Sequence, residues 1–341
     1  MKVYPKINIL IPTYNRAATY LIGAILGALS QDYQNLEVIV LDDCSTDNTQ
    51  EVLQNYSNDP RLKTIKNVKN LGTFKSIKKL VYEYNDSDWF MLLADDEHLT
   101  DVSFISKCVG LLNKYSDKNI TLISANYETI FESNENKKLN SNRFLPEIID
   151  GRSCFLNYYK SVIPAPFFIQ KTDVAKKLGC WIGEFPSVNY EALLLLSLNG
   201  NVAFLKDTVG TYMIHDISFS YMLPKNMATN KVVKIAINDL CYIENLSKYA
   251  KENKIFPSKI IEKWYHKTML KFSKVSFFVL IGANKKKEAI LFKQKIKEKY
   301  PFISLRVFSI DMIIRYFLYK SKFLRKLVML LRSIMDQLKL N

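Results

Sequence analysis

The chain has 341 residues, is 48% hydrophobic and carries a formal net charge of +15. That length can bury a full core, as one large domain with an appendage or as two domains. The most apolar stretch, Val275 to Ala283, is about half the ~18–20 residues a membrane-spanning helix needs. Five widely spaced cysteines (Cys44, Cys108, Cys154, Cys180, Cys241) contain no CxxC pair, which argues against a zinc or disulfide framework and for reduced thiols. No signal-like apolar region precedes the first strand-like run, so a soluble or peripheral, cytoplasmic protein is expected.

In chain order, Ile7 to Ile11 reads as a β-strand stopped by Pro12. Leu21, Ile25 and Leu29 then recur every fourth residue and predict a helix. "LEVIVLDD" is a second apolar strand that ends on Asp42-Asp43, and "STDNTQEVLQNY" opens a helix with capping residues. "RLKTIKN" is a third strand, "NLGTFKSIKKLVYEYN" a turn and a helix, and "DWFMLLADD" a fourth strand that ends on Asp95-Asp96. Alternating strands and helices with near-continuous apolar strands predict a parallel α/β sheet covered on both faces.

Beyond that, "ITLISANYETIFE" predicts one or two strands, "NENKKLNSN" a polar loop, and "VIPAPFFIQKTDVAKKLG" a strand followed by a short helix. "NYEALLLLSLNG" predicts a helix and "NVAFLKDTVGTYMIH" a strand with a turn. From about residue 225 the sequence is helical and rich in lysine. Residues 221–341 hold 26 Lys+Arg against 8 Asp+Glu, while residues 1–220 hold 22 against 25. Such asymmetry predicts a near-neutral module with a polyanion-seeking attachment.

Two strands that end on paired acids carry the functional argument. In open parallel α/β sheets, ligands bind outside the carboxyl ends of the strands. Carboxylates gathered there can accept hydrogen bonds from a nucleoside or hold a hard divalent cation against phosphate oxygens. Read singly, each pair is a helix cap or an exposed turn; two pairs on separate strands favour a ligand site.

The text "NILIPTYNRAATYLIGAILGALSQDYQNLEVIVLDDCSTDNT", followed by "NLG" and "LLADDEHL", resembles the family 2 glycosyltransferases. The resemblance is good over residues 5–115, weaker to about 220 and absent beyond. It implies the GT-A fold: a Rossmann-like, mostly parallel central sheet with helices on both faces. Residues 1–224 would form the catalytic domain, with a nucleotide-binding half to about 115 and an acceptor half after it, and 225–341 a basic helical region.

By that resemblance Pro12, Thr13 and Tyr14 line a nucleotide pocket, Asp43 bonds the pyrimidine ring, Asp95 faces the ribose or donor sugar, and Asp96 coordinates Mn²⁺ or Mg²⁺. His215 is a further metal ligand, and Lys75, among Lys75, Lys78 and Lys79, reaches the diphosphate. Glu97 is either the third member of the acid cluster or a helix-start acid. The catalytic base is Glu191, with Glu184 as backup; the family's Glu-Asp pair is missing, and a register shifted by two residues would put Asn189 at the base position. The implied reaction is an inverting transfer of a sugar from a nucleotide-diphosphate donor, UDP first, to a glycan or lipid-linked saccharide in cell-surface polysaccharide or glycoconjugate synthesis. A non-catalytic or hydrolytic relative is the alternative.

Near the end, Ile310, Ile314, Phe317, Leu324, Val328, Leu331, Met335 and Leu338 form a heptad-like seam flanked by Arg and Lys. Three uses compete: an anionic membrane surface at the inner face of the plasma membrane, a second copy in a homodimer, or packing on the catalytic domain. The aliphatic runs beside the lysines favour lipid over nucleic acid, and no nucleic-acid-binding motif is present.

Overall fold

A computed structural model of the chain describes residues 3–17, 20–131, 136–140, 145–158, 167–184, 188–214, 229–238, 240–282 and 285–303. The elements run β1 (Ile7–Thr13), α1 (Leu21–Leu29), β2 (Leu36–Asp42), α2 (Thr49–Asn55), β3 (Leu62–Lys66), α3 (Thr73–Lys79) with a π-helical turn at Leu80–Tyr84, and β4 (Trp89–Leu92). They continue with β5 (Glu97–Leu99), α4 (Phe104–Lys114), β6 (Ile120–Phe131), β7 (Asn136–Asn140), β8 (Ile148–Asp150), α5 (Gly151–Asn157), β9 (Phe168–Lys171), α6 (Thr172–Lys177), α7 (Val188–Leu198) and β10 (Asn201–Ile214). The last helices are α8 (Thr229–Asn238), α9 (Cys241–Glu252), α10 (Ser258–Gly282) and α11 (Lys286–Lys299).

The main sheet has the order β3-β2-β1-β4-β9-β6-β10-β5. Its first four strands are parallel. β9 then runs antiparallel to β4 and β6, while β10 is parallel to β6. The expected α/β sheet is therefore present, but mixed rather than parallel throughout. β1 is its apolar centre: Ile7, Ile9, Leu10 and Ile11 are fully buried, as are Val38, Ile39, Val40 and Leu41 on β2. A strand flanked on both edges and covered on both faces has no solvent side, so its sequence runs apolar instead of alternating.

Two local expectations are corrected. Part of the polar "NENKKLNSN" is not loop but β7, paired antiparallel with β6 from Tyr127↔Asn140 to Phe131↔Asn136. Backbone pairing to a long neighbour forms it, with no apolar pattern of its own. The turn expected inside "NVAFLKDTVGTYMIH" is instead a pair of register shifts within the single strand β10, on either side of Thr208; such bulges bend a strand without ending it.

Gln31 fastens α1 to the start of α4. Its Nε2 donates to Asp101 O at 2.9 Å and its Oε1 accepts from Ile105 N at 3.1 Å. α1 also crosses β5 closely, and Gly27 permits it: a Cβ there would lie 2.6 Å from Leu99 O and 2.9 Å from Leu99 N.

The described residues up to 214, together with 241–265, form one compact unit; 229–238, 240 and the described residues from 266 onward belong to a second. The boundary expected at 224/225 is thus crossed. In the first unit the Phe155 ring stacks on Trp264 at 4.1 Å, and Trp264 Nε1 donates to Phe155 O at 2.8 Å. In the second unit Phe292 and Ile296 of α11 are fully buried, and Thr229 Oγ1 donates to Glu288 at 2.8 Å.

Backbone atoms cannot step aside as a flexible side chain can, so Gly27→Ala forces α1 off β5. Overpacking of this kind costs roughly 1–3 kcal/mol. A chemical-denaturation midpoint unchanged in that variant would show that the crossing is not tight.

Candidate active site

The strand tips meet at Thr13, the last residue of β1. β1 lies between β2 and β4, so its end touches both acidic tips. Thr13 O accepts from Asp43 N at 2.9 Å, and Thr13 Oγ1 donates to Asp95 Oδ2 at 2.8 Å. The backbone N–H of Tyr14 also donates to Asp95. The two acid pairs expected to converge are therefore joined through one threonine.

Each acid of the first pair has its own task. Asp42 is fully buried and shapes the turn: its Oδ1 accepts from Ser45 N at 2.8 Å and its Oδ2 from Gln50 Nε2 at 2.6 Å. Asp43 faces the next crossover. Its Oδ1 accepts from Asn67 Nδ2 and Leu71 N, both at 2.8 Å, and its Oδ2 from Gly72 N at 2.8 Å. A carboxylate offers about four acceptor positions, and the three donors leave one on Oδ2. Gly72 sits at φ +86°, open to glycine and strained for other residues, which explains the glycine of "NLG". Asn67 is in turn held by Lys79 Nζ at 2.9 Å. So among the three lysines after "NLG" the contact to this network comes from Lys79, while Lys75 is exposed on α3.

The loop after β1 is laced to the loop after β2. Asn15, at φ +54°, donates its N–H to Ser45 Oγ at 2.9 Å and accepts from Thr46 N at 2.9 Å. Ala17 N donates to Asp47 at 3.2 Å. Burial works against the Asp47 carboxylate, but bonds from Thr49 and Ala17 prevail and lower its pKa. Tyr14 projects from this laced wall and is 43% exposed, while Pro12 is half-buried opposite Leu41.

The second acid pair is electrostatically loaded. Asp95 is half-buried by surface yet surrounded by protein; burial, then the neighbouring Asp96, pushes its pKa up to about 6 despite the bond from Thr13. Glu97 is buried at 4% exposure, and burial followed by Asp96 raises it to about 8. Glu97 opens β5, so the helix-start reading is corrected. Its Oε2 accepts from Ala94 N at 3.0 Å, closing the acidic turn from inside instead of facing a ligand. His98 likewise turns inward: its Nε2 is buried against Gly23, without a hydrogen-bond partner.

Burial and the charge of Asp96 raise both Asp95 and Glu97, and an all-oxygen carboxylate set suits Mg²⁺ or Mn²⁺. Asp96, supported by Asp95, fits such an ion. Among the described residues no group of three or more His, Cys, Asp or Glu forms a metal cage, and the expected ligand His215 lies outside the described residues.

Glu191 lies on α7 at 7% exposure, and Asn245 Nδ2 of α9 donates to its Oε1 at 2.8 Å. Burial raises its pKa, with the Asn245 bond opposing. Among the described residues no hydrogen bond ties Glu191 into the Thr13 network. The neighbouring Tyr190 does lie toward it: Tyr127 interacts electrostatically with Tyr190, Glu97 and Tyr212. Glu184 is exposed and Asn189 half-buried. Asn67, Asn245 and Tyr190 are the participants that motif reading missed, while Lys79 was among the three lysines it named. Only Asn67 had a local signal, as the polar residue that ends "RLKTIKN".

A profile of "Glycosyl transferase family 2" matches residues 8–179. An uncharacterized glycosyltransferase of Haemophilus influenzae is 33% identical over 133 residues, 39% of this chain and 40% of that protein. Chondroitin synthase of Escherichia coli is 34% identical over 148 residues, 40% of this chain and 21% of that protein. The chain thus spans less than half the length of these relatives. Among solved structures, S. aureus TarS 1-349 in complex with UDP aligns with 87% of this chain and 91% of that one, at TM-score 0.52 and 15% identity. The mannosyltransferase PcManGT from Pyrobaculum calidifontis, in complex with GDP-Man and Mn2+, aligns with 95% of this chain and 83% of that one, at TM-score 0.50 and 13% identity. These similarities establish the GT-A fold.

The Glu97 carboxyl holds its proton more tightly in the folded chain, near 8, than at its ordinary 4.5. The folded state therefore binds more protons than the unfolded one across that window, and this group's contribution to stability falls as pH rises through it. Glu97→Gln removes the titration, so its denaturation midpoint should fall less between pH 5 and 8.5, on the order of the window just given. Parallel pH profiles of the two proteins would disprove the buried-acid reading.

Proposed function

The chain belongs to glycosyl transferase family 2, and on that premise we propose that it moves a sugar, with inversion, from a nucleoside-diphosphate donor to a hydroxyl of a glycan or lipid-linked saccharide in cell-surface polysaccharide or glycoconjugate synthesis. The observation that carries the reading is the Thr13 junction, which gathers Asp43 and Asp95-Asp96 at one sheet edge. UDP is the preferred donor nucleotide, since the remaining acceptor position of Asp43 suits the uracil N–H; thymidine presents the same edge. UDP in the TarS complex, and GDP-Man with Mn2+ in the PcManGT complex, accord with a diphosphate donor on this fold.

Each residue then has a task. Pro12, Thr13 and Tyr14 wall the nucleotide, with the exposed Tyr14 ring toward the base. Asp43 orients the base, and Asp95 the ribose or donor sugar. Lys75 offers its charge to the diphosphate. Asp96, with His215, would hold Mn²⁺ or Mg²⁺, which when bound stabilises charge on the departing diphosphate. Glu191 accepts the proton of the attacking acceptor hydroxyl, with Glu184 as the substitute. A carboxylate raised by burial is a better base than an exposed one, and Asn245 fixes one of its oxygens.

Asp96→Ala should abolish metal-stimulated release of nucleoside diphosphate from UDP-sugars while leaving the thermal midpoint in place. Glu191→Gln should lower kcat of transfer ~10²–10⁴-fold, with UDP binding unchanged. Full turnover in either variant removes that residue from the mechanism.

We also propose peripheral attachment to an anionic membrane at the cytoplasmic face of the plasma membrane. Residues 228–240 and 266–341, which hold the second unit, carry 20 Lys+Arg against 5 Asp+Glu, so the whole net charge of +15 resides there. No described helix is long and apolar enough to cross a membrane. The heptad-like seam at 310–338 lies outside the described residues. Each basic residue near an anionic surface contributes ~1 kcal/mol, and salt screens it. The full chain should float with phosphatidylserine vesicles, not with phosphatidylcholine vesicles, and release at high salt. Concentration-dependent dimerisation without flotation would assign the seam to a second copy, and a nucleic-acid shift without flotation would overturn the lipid reading.

A further inference from the structure

From His266 onward, helix α10 belongs to the second unit, and there it is apolar on two sides. Between Leu270 and Ile281 it carries only two charged residues, Lys271 and Lys274. Met269, Ser273 and Leu280 are buried on its inner side. Val275 and Val279 point the other way, at 46% and 49% exposure. They lie one turn apart, and the half-buried Phe272 and Phe278, three residues before and after Val275, flank them on the same side. A helix at a protein surface ordinarily turns polar residues outward, and one that is apolar all round is covered on every side. The outward side of α10 therefore calls for a partner.

The charge around this face is of one sign. Residues 266–303 hold ten lysines and two glutamates. Lys271 lies one turn before Val275, and its Nζ stands over the Phe272 ring, 5.5 Å from the centroid. Burial lowers the Lys271 pKa, so its ammonium gains where an anion replaces the lost water.

That sign chooses among the occupants. A second copy would set lysines against lysines. The chain's own residues 304–341 hold eight Lys+Arg and two Asp, and would do the same. An anionic lipid surface offers headgroups to the lysines and acyl chains to the valines and phenylalanines, and so matches both features at once.

We propose that the outward face of α10, with Val275 and Val279 at its centre, enters the boundary between headgroups and acyl chains of an anionic membrane, while Lys271 and Lys274 reach the headgroups. It rests on the membrane attachment inferred above and names the face that makes the contact. The helix then lies along the surface. Charge draws the chain down, and the small apolar area adds to that attraction without holding the chain alone, since stable anchoring takes two signals.

Tryptophan fluorescence of the full chain tests it. The three native tryptophans, Trp89, Trp181 and Trp264, are all buried, so a Val279→Trp variant reports on this face. With phosphatidylserine vesicles its emission should move to shorter wavelength and be quenched by bromine on the upper acyl chain. Phosphatidylcholine vesicles should leave it unchanged, and high salt should reverse the shift. Val275→Ser combined with Val279→Ser should weaken partitioning to phosphatidylserine vesicles about tenfold, with the same salt dependence and unaltered UDP binding. Should the serine variant fold poorly, the Val279→Trp variant decides the matter. Flotation with an unresponsive tryptophan, or flotation indifferent to the two serines, would overturn this face and leave the attachment standing; failure of the unsubstituted chain to float would overturn both. Emission already at short wavelength without vesicles would also overturn it, assigning the face to residues 304–341 if independent of protein concentration and to a second copy if dependent on it.

Discussion

Thr13 is the joint on which the site depends. Its carbonyl fixes the backbone after β2 and its hydroxyl fixes Asp95 after β4, so one residue, through its backbone and its side chain, ties the two acidic tips together. The joint works because β1 is central. A strand with a partner on each edge delivers its last residue between two neighbouring strand ends, and fully buried β1 and β2 side chains hold that position. Without it, acids at the ends of separate strands would be ordinary turn residues.

Most of the polar groups around this joint point inward and support the few that face out. Asp42 closes its own turn, Glu97 closes the next, and Asn67, Leu71 and Gly72 hold Asp43. The three donors on Asp43 leave it one acceptor position, on Oδ2. The crowding is costly: burial, then the neighbouring Asp96, raises both Asp95 and Glu97. Such an arrangement is better tolerated with a cation nearby, and it shows how strain in a folded site favours the ligand that relieves it.

The sequence made the strand half of this site readable because buried parallel strands are written as unbroken apolar runs, and their ends are marked where charge begins. β1, β2 and β4 and the paired acids were legible for that reason. β7 was not, since a polar strand held by backbone pairing has no apolar pattern. Neither was the sense of β9, because antiparallel insertion between β4 and β6 is a tertiary choice with no local periodicity. Of the two readings of Glu97, the helix-start one failed because its partner, the N–H of Ala94, belongs to a tight turn and leaves no mark in residue type.

Asn245 shows the same limit from the other direction. It lies more than fifty residues beyond Glu191 in a stretch read as part of a basic appendage, yet it bonds that carboxylate at 2.8 Å. Helix α9 belongs with the first unit because Tyr242, Ile243 and Leu246 are buried there, an amphipathic face that composition alone blends into the lysine-rich text around it. The net charge follows the same division: with α9 and the start of α10 assigned to the first unit, that unit is neutral and the excess of positive charge belongs to the other.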